Sequence, residues 1–265
     1  MLRALYTSAT GMKAQELLID ATANNLANVN TNGFKRSQLD FADLIYATLK
    51  PAGTEVAAGQ QTPTGLQIGS GVRAVGTTKV FTTGSFEQTG NPLDVAIEGD
   101  GFIKVQLPNG ESRYTRDGAL RLDANGQLVT GDGYLVDGTV TIQDGVSLSK
   151  INIGTDGTVT GIQAGSTDTA VTLGQIQLAR FLNPAGLSSE GGNLYAATPA
   201  SGAEVLGVPG QNGLGTLRQG FLEGSNVEVV TELISLISAQ RAYEINSRAI
   251  RAGDEMLSTT SDIVR

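Results

Sequence analysis

The sequence of 265 residues contains no cysteine and no histidine. Without cysteine there is no disulfide and no thiol chemistry. Without histidine, the commonest general base and the commonest metal ligand are missing. Charged residues make up 17% of the chain and aromatic residues 5%, which favours many short strands and turns over a helical enzyme core. We therefore expect no catalytic residue, no cofactor and no metal site.

Positive charge and long apolar runs are also scarce. The 18 basic and 26 acidic residues give a net charge of −8, which disfavours a nucleic-acid binder or a protein of anionic membranes. The start of the chain, MLRALYTSATGMKAQ, has no apolar run typical of a Sec-type signal, and no stretch is apolar for long enough to form a membrane helix. We expect a protein that stays in the cytosol or leaves it by a route without a cleaved signal.

Proline and glycine are nearly absent from both ends of the chain. All seven prolines lie between Pro51 and Pro209, and only three of the 35 glycines lie outside residues 53–224. Because both residue types disfavour helix interiors, the sequence predicts a helix at each end and a different structure between them. We expect Gly33 to end the first helix, since glycine adopts the left-handed conformation easily.

Each predicted helix carries one apolar stripe. The N-terminal stripe follows the 3-4 spacing of a coiled-coil seam, and the C-terminal stripe recurs at every seventh residue. A helix must bury such a stripe, so we expect the two helices to pair as a coiled coil. The C-terminal stripe is wider than a two-stranded seam, which suggests more than one partner. The positions are Leu2, Leu5, Ala9, Met12, Ile19, Ala23 and Leu26 in the first helix, and Val229, Leu236, Tyr243, Ile250, Leu257 and Val264 in the second, widened by Ala242, Ala249, Met256 and Ile263.

The middle of the chain has the pattern of antiparallel strands. In LRLDANGQLVT, Asn125-Gly126 separates two alternating runs, which is a strong hairpin signal. INIGTDGTVTGI repeats the arrangement around Asp156-Gly157. Turns recur about every ten residues, a spacing typical of a sandwich or barrel.

These patterns predict an α+β fold with three regions. Residues 1–35 and 226–265 form an inner domain of paired terminal helices, and residues 71–215 form a central all-β domain of antiparallel strands. Residues 36–70 with 216–225 connect the two. The connecting region includes a stretch near 46–69, rich in Gly, Ala, Thr and Gln, which is either a mobile linker or an extended arm that orders against a neighbouring subunit.

Asparagines are concentrated where the first helix should end. Asn24, Asn28 and Asn32 lie four residues apart, with Asn25 beside them. On a helix their amides would form one polar stripe that both donates and accepts hydrogen bonds. The alternative is a capped helix end at the surface, where asparagine is favoured.

Five stretches, in order along the chain, carry a resemblance to one family. Taken together they resemble the flagellar rod and hook proteins of bacteria over essentially the whole chain, and the middle three are most similar to members that form the distal rod. Asn32 departs from the family pattern, which has threonine there, and Ala119 replaces serine or asparagine. The stretches are MLRALYTSATGMKAQELLIDATANNLANVNTNGFKR (1–36), GLQIGSGV (65–72), NPLDVAIEGDGFI (91–103), YTRDGALRLDANGQLVT (114–130) and FLEGSNVEVVTELISLISAQRAYEINSRAI (221–250).

The resemblance implies a structural subunit of an axial filament in the flagellar basal body. In such proteins the terminal helices pair and copies stack helically around a channel, with the β domain outside. It implies a homo-oligomer with other rod and hook-side flagellar proteins as partners, export by the flagellar type III apparatus without a cleaved signal, and contact with a surrounding ring bushing. It also favours the ordered arm at 46–69 over the linker.

Subunit packing is then expected along both stripes. The residues are Leu2, Leu5, Met12, Ile19, Asn24, Asn25, Leu26, Asn28, Leu236, Gln240, Tyr243, Ile250 and Leu257.

Three other motifs in the sequence fit a different function less well. GSGVRA (69–74) fits a dinucleotide-binding pattern, but no helix pattern follows it. DANGQLVTGDG (123–133) places glycine at the wrong position for a calcium loop. The carboxylates Asp94, Glu98 and Asp100 flank a turn, where acidic residues are common. A coiled-coil adaptor would leave residues 71–215 without a purpose. The alternatives left open are a proximal rod or hook paralogue and a secreted β-rich binder or hydrolase of wall polysaccharide.

The first prediction concerns the N-terminal stripe. Leu26→Asp should abolish incorporation into filaments while leaving the central β region folded, because a charge in an apolar seam is costly to bury. Pelleting of filaments with circular dichroism of the soluble fraction measures both. Unchanged assembly of Leu26→Asp would count against the seam.

Overall fold

The computed structural model describes residues 2–53, 55–57, 60–61, 63–138, 140–142, 151–162 and 170–263. Val264, the last position of the predicted seven-residue repeat, lies outside these residues. The chain divides into two compact units. A helical unit contains Met1–Leu26, Ser37–Thr78 and Glu228–Arg265, and a β unit contains Ala27–Arg36 and Lys79–Val227.

The predicted α+β fold is confirmed. Helix α1 spans Leu2–Ala27 and helix α2 spans Val229–Ile263, and antiparallel strands lie between them in sequence. Glu232 stands in the first turn of α2, where a carboxylate interacts favourably with the helix dipole.

The end of α1 differs from the prediction. The helix ends at Ala27 and residues 28–30 form a turn, so Gly33 is not the residue that ends it, and Asn28 and Asn32 do not extend a helical stripe. Thr31 donates its backbone N–H to the carbonyl of Asn28 over 3.2 Å, and its hydroxyl to the Asn28 side chain. Short polar side chains compete in this way with the helical hydrogen-bond pattern.

The helical unit also contains short strands. Strand β1 (Ser37–Asp43) pairs with β6 (Val72–Lys79), and we call this pair the ribbon. The stretch predicted as an extended arm forms, in its described part, two small antiparallel pairs. They are β2 (Ala47–Lys50) with β5 (Leu66–Ile68), and β3 (Glu55–Ala57) with β4 (Gln60–Gln61).

The β unit is built from sixteen strands in the described residues. Its largest sheet has nine strands, with β9 at the centre, and its neighbouring strands pair in antiparallel directions. The path runs β11-β12-β13-β9-β10-β19-β18, and β17 pairs with both β9 and β20. The strands are β7 (Phe86–Gln88), β8 (Val95–Glu98), β9 (Phe102–Gln106), β10 (Ser112–Thr115), β11 (Arg121–Leu122), β12 (Leu128–Val129), β13 (Leu135–Val136), β14 (Asn152–Ile153), β15 (Thr158–Ile162), β16 (Ala170–Gln175), β17 (Leu178–Arg180), β18 (Ser188–Gly191), β19 (Leu194–Ala196), β20 (Val205–Gly207), β21 (Thr216–Gln219) and β22 (Phe221–Glu223).

Both predicted hairpin turns are confirmed. Gly126 joins β11 to β12 and Gly157 joins β14 to β15, each with a positive φ. By contrast, β8 and β9 are neighbours in sequence but do not pair, because β8 pairs with β21 near the end of the chain. Aliphatic side chains from these strands form the main core, and a second cluster of Phe, Tyr and Leu side chains packs with edge-to-face ring contacts.

A cluster of buried charges holds the N-terminal segment in the β unit. The side chains of Lys35 and Glu223 have no exposed surface, and Lys35 Nζ lies 2.5 Å from Glu223 Oε1. Glu223 also accepts hydrogen bonds from Arg116 and from the backbone N–H of Gly84. Burial lowers the pKa of Lys35 below its ordinary value, and Glu223 opposes part of that shift. The Glu223 carboxylate is therefore the counter-ion of two buried cations, Lys35 and Arg116.

Glycine and asparagine complete this anchorage. Gly33 has a φ of +68°, and a Cβ there would lie 2.6 Å from the backbone of Arg116, so only glycine fits without displacement. The Asn226 side chain accepts the Arg36 N–H over 2.8 Å and donates to the carbonyl of Val80. The GFKR segment (residues 33–36) thus packs against the backbone of Arg116 and is hydrogen-bonded to Asn226, near the C-terminal end of the β unit.

Glu223→Gln tests the shared carboxylate. The substitution keeps the shape but leaves two buried cations without a counter-charge, which should lower the free energy of unfolding by about 3–5 kcal/mol. Glu190→Gln is the control, because Glu190 pairs with Arg113 near the surface and is 41% exposed, and such a pair contributes about 0–1 kcal/mol. Urea unfolding followed by circular dichroism measures both. Equal effects of the two substitutions would contradict the role of Glu223.

Candidate assembly interface

Helices α1 and α2 pack against each other in antiparallel directions. Asn25 hydrogen-bonds to Glu232, Gly11 faces Asn246, and Leu5 faces Gly253. As the residue number rises along α1, the number of its contact partner on α2 falls, so the two helices run antiparallel. The predicted pairing of the terminal helices is confirmed.

Small and polar residues form the contact between the helices. On α2 these residues recur at every seventh position, as Glu232, Ala239, Asn246 and Gly253, and the first two are among the buried residues. A Cβ at Gly253 would lie 2.6 Å from Leu5 Cδ2, so glycine allows the close approach of the helices.

Of the predicted packing residues, Leu5 and Asn25 take part in this contact, through Gly253 and Glu232. Asn25 is buried, with 2% of its surface exposed. Asn24, Gln240 and Tyr243 are exposed, and Leu2 begins α1. The half-buried positions are Leu5, Met12, Ile19, Leu26, Asn28, Leu236, Ile250 and Leu257.

Large apolar side chains point to solvent on the first three turns of α2. We call these residues the α2 patch. Sequence reasoning included only Val229 among them, although the run VVTELISLI is apolar on more than one side of a helix and so carried the signal. The patch comprises Val229 (40% exposed), Val230 (65%), Leu233 (40%), Ile234 (60%) and Ile237 (48%).

A cavity of about 450 Å³ opens at the other end of the helix pair. Its lining combines aliphatic side chains with one tyrosine and two charged residues. Tyr6 is 71% exposed. The cavity is lined by Leu5, Tyr6 and Ala9 from α1 and by Ile250, Arg251 and Asp254 from α2.

The ribbon is attached to α1 at two points. The Thr10 hydroxyl accepts the N–H of Val72 over 3.4 Å, and Asn25 holds Ser37. The two attachment residues are separated by about 22 Å along the helix axis, and a strand of the seven residues of β1 spans about 23 Å. The ribbon therefore lies along α1, and the length of β1 matches the distance between the two attachment residues on the helix.

Asn25 explains the asparagine-rich end of α1. Its side-chain oxygen accepts the N–H of Ser37 over 2.8 Å, and its amide donates to the carbonyl of Ser37 over 2.9 Å and to the Glu232 carboxylate over 3.3 Å. One buried amide thus joins α1, the start of the ribbon and the first turn of α2. A buried polar residue of this kind specifies the register of a helix pair.

The acidic side chains of the described residues were considered as metal ligands. Groups of three or more Asp or Glu side chains that could hold a metal ion are absent among these residues. Asp94, one of the carboxylates considered from the sequence, accepts hydrogen bonds from Thr89 and Asn91 in its own turn.

Asn25→Ala tests the joint between the helices and the ribbon. The change leaves the buried groups of Ser37 and Glu232 without the Asn25 amide, and each group left unsatisfied costs about 1–3 kcal/mol. Ser238→Ala is the control, because Ser238 is an exposed polar residue of α2 outside this joint. Thermal melts at 222 nm should show a loss of helix stability for Asn25→Ala only. Equal melting of the two variants would exclude the joint.

Family models match both ends and the middle of the chain. The model "Flagella basal body rod protein" matches residues 5–35, "Flagellar hook protein FlgE/F/G D1 domain" matches residues 96–161, and "Flagellar basal body rod FlgEFG protein C-terminal" matches residues 218–263. The terminal matches contain most of α1 and α2.

Relatives are similar over their full length. The flagellar basal-body rod protein FlgG of Borreliella burgdorferi is 45% identical over 265 residues and is covered completely, as is this chain. That of Buchnera aphidicola subsp. Acyrthosiphon pisum is 46% identical over 263 residues, covering 99% of this chain and 100% of the relative. That of Bacillus subtilis is 38% identical over 271 residues, with complete coverage of both. This chain belongs to the flagellar basal-body rod protein FlgG family.

Proposed function

We propose that the chain is a structural subunit that self-assembles into the distal rod of the flagellar basal body, a hollow shaft that transmits torque and encloses an export channel. The observation that carries the proposal is the α2 patch, with five large apolar side chains exposed on three turns of one helix. Contiguous exposed apolar surface of this kind marks an interaction site. The family and the named function of the relatives support the same conclusion.

The α2 patch is suited to contacts between copies. The inner side of α2 packs against α1, so side chains on its outer side are available to a second helix pair. Burying one Val, Leu or Ile side chain contributes about 1.5–3 kcal/mol, so several of them stabilise a repeated contact even after the cost of association. The predicted packing residues that are half-buried at the edge of the helix pair extend this surface, and we propose that they pack within and between subunits.

The partners proposed for the subunit are proteins of the same organelle. They are further copies of the chain in a helical filament, other rod and hook-side flagellar proteins, the type III export apparatus and the surrounding ring bushing. The net charge of −8 does not favour nucleic acid as a partner. Among the described helices, none combines the length and the apolar character that crossing a membrane requires.

The proposed role is mechanical, without a catalytic step. The family is one of structural rod proteins, and the inner domain of terminal helices, the connecting region and the central β domain would form successive layers of the rod. In this arrangement the stretch near 46–69 is an arm that orders between subunits. Exposed apolar residues in its described part, such as Leu49 (57%) and Leu66 (55%), support contact with a neighbour.

Ile234→Asp tests the α2 patch in assembly. Placing a charge at an isoleucine that the proposed contact between copies would bury should raise the concentration needed for filament formation at least about tenfold, because about 1.4 kcal/mol corresponds to a factor of ten. The measurement is pelleting against protein concentration, with negative-stain microscopy of the pellet.

Ile245→Asp is the control for the same measurement. Ile245 lies on the same helix and is also 60% exposed, but it lies outside the α2 patch. We expect a change of less than about threefold, within the range of ordinary surface substitutions. Equal effects of both substitutions would remove the patch from the proposed interface. Soluble monomers of the unmodified chain that bind glycans saturably would favour the polysaccharide-binding alternative.

A further inference from the structure

The ribbon has two edges without a neighbouring strand. Within the described residues β1 pairs only with β6, and β6 only with β1. The two strands are antiparallel, because the N–H of Val80 bonds to Arg36 at one end and the N–H of Leu44 bonds to Gly71 at the other. About half of the backbone N–H and C=O groups of each strand therefore point away from the ribbon.

Strand β6 is exposed to solvent on both of its faces. All five residues from Arg73 to Thr77 are exposed, although neighbouring residues of a strand point to opposite faces. Val75 is 59% exposed on β6 and Phe41 is 39% exposed on β1. Proteins protect such edges with charged side chains, proline, bulges or a covering element; neither strand contains proline, and their charged residues are Asp40, Asp43, Arg73 and Lys79.

The two edges carry opposite charge. Strand β1 has the sequence SQLDFAD with Asp40 and Asp43, whereas the exposed part of β6 carries Arg73. The Asp40 carboxylate also accepts a hydrogen bond from the Thr78 hydroxyl within the ribbon, over 2.7 Å. The attachments of the ribbon to Thr10 and Asn25 hold both strands along α1. Both strands are thus held in place within a single copy, and the two strands differ in the sign of their charge.

We propose that the free edge of β6 in one copy pairs with the free edge of β1 in a second copy, as an antiparallel extension of the ribbon. Acidic β1 meets basic β6, and copies in the same orientation bring the two strands together in antiparallel directions. Because different edges meet, the contact is heterologous and repeats from copy to copy, which generates an open helical array or a ring. The inference rests on the proposed function and adds a lateral backbone contact to the helix packing.

Disulfide cross-linking between two variants tests the edge pairing. The chain contains no cysteine, so Phe41→Cys and Val75→Cys each introduce a single thiol at an exposed position. The two variants are mixed in equal amounts, assembled and oxidised, and the products are separated without reductant. Val75→Cys mixed with Ile245→Cys is the control, because Ile245 is exposed but lies on α2.

The heterotypic disulfide should exceed the control by about tenfold, because a disulfide forms only when two Cα atoms come within about 7 Å. In the unmodified chain, hydrogen exchange of the outward amides of β1 and β6 should slow by about tenfold or more on assembly, as they enter a ladder. Pellets with the heterotypic disulfide and slowed exchange support the pairing.

The remaining outcomes contradict the pairing of β1 with β6 between copies. Filaments with fast-exchanging outward amides, or with mainly Phe41→Cys homodimers, would exclude the β1–β6 contact and leave the proposed function standing. A chain that never pellets would contradict the proposed function and the edge pairing together.

Discussion

Buried polar bonds between the two ends of the chain are the interactions on which the rest of the structure depends. Asn25 binds Glu232 across 207 residues of sequence, and Lys35 binds Glu223 across 188. The first bond lies within the helical unit and the second within the β unit, so neither unit is complete until both ends are in place. Closing such long loops costs entropy that grows only slowly with length. The cost of leaving these groups buried and unpaired is larger, which makes the native pairing specific.

The residue types at the contact between α1 and α2 suit a subunit that packs against further copies. Glycine, alanine and asparagine occupy the contact between α1 and α2, so the helices approach closely and their large apolar side chains remain at the margin or outside. A monomer that buried Val230, Ile234 and Ile237 internally would be better packed, but it would offer less surface to a second copy. The exposed apolar surface of α2 and the free edges of the ribbon are therefore consistent with a chain whose final packing is completed by its neighbours.

Features encoded by local residues were predictable from the sequence, and those that depend on distant pairing were not. The helices followed from the scarcity of proline and glycine, and the hairpins at Gly126 and Gly157 from turn chemistry. The contact row of α2 was missed, because a search for apolar periodicity selects Leu236 and Tyr243 over the smaller Ala239 and Gly253. The pairing of β8 with β21 and the burial of Lys35 involve partners far away in sequence, which no local pattern indicates. Asn25 was selected from its position in a polar stripe, yet its hydrogen bonds to Ser37 and Glu232 required the structure.

The most direct test of the central claim, that the terminal helices drive assembly, is sedimentation against concentration for the full chain and for residues 79–227, the larger segment of the β unit. Circular dichroism of the fragment verifies that it is folded. The account predicts that the full chain pellets as straight filaments while the folded fragment stays monomeric. Filaments formed equally well by the fragment would contradict it, because the surface that drives assembly would then lie in the β unit.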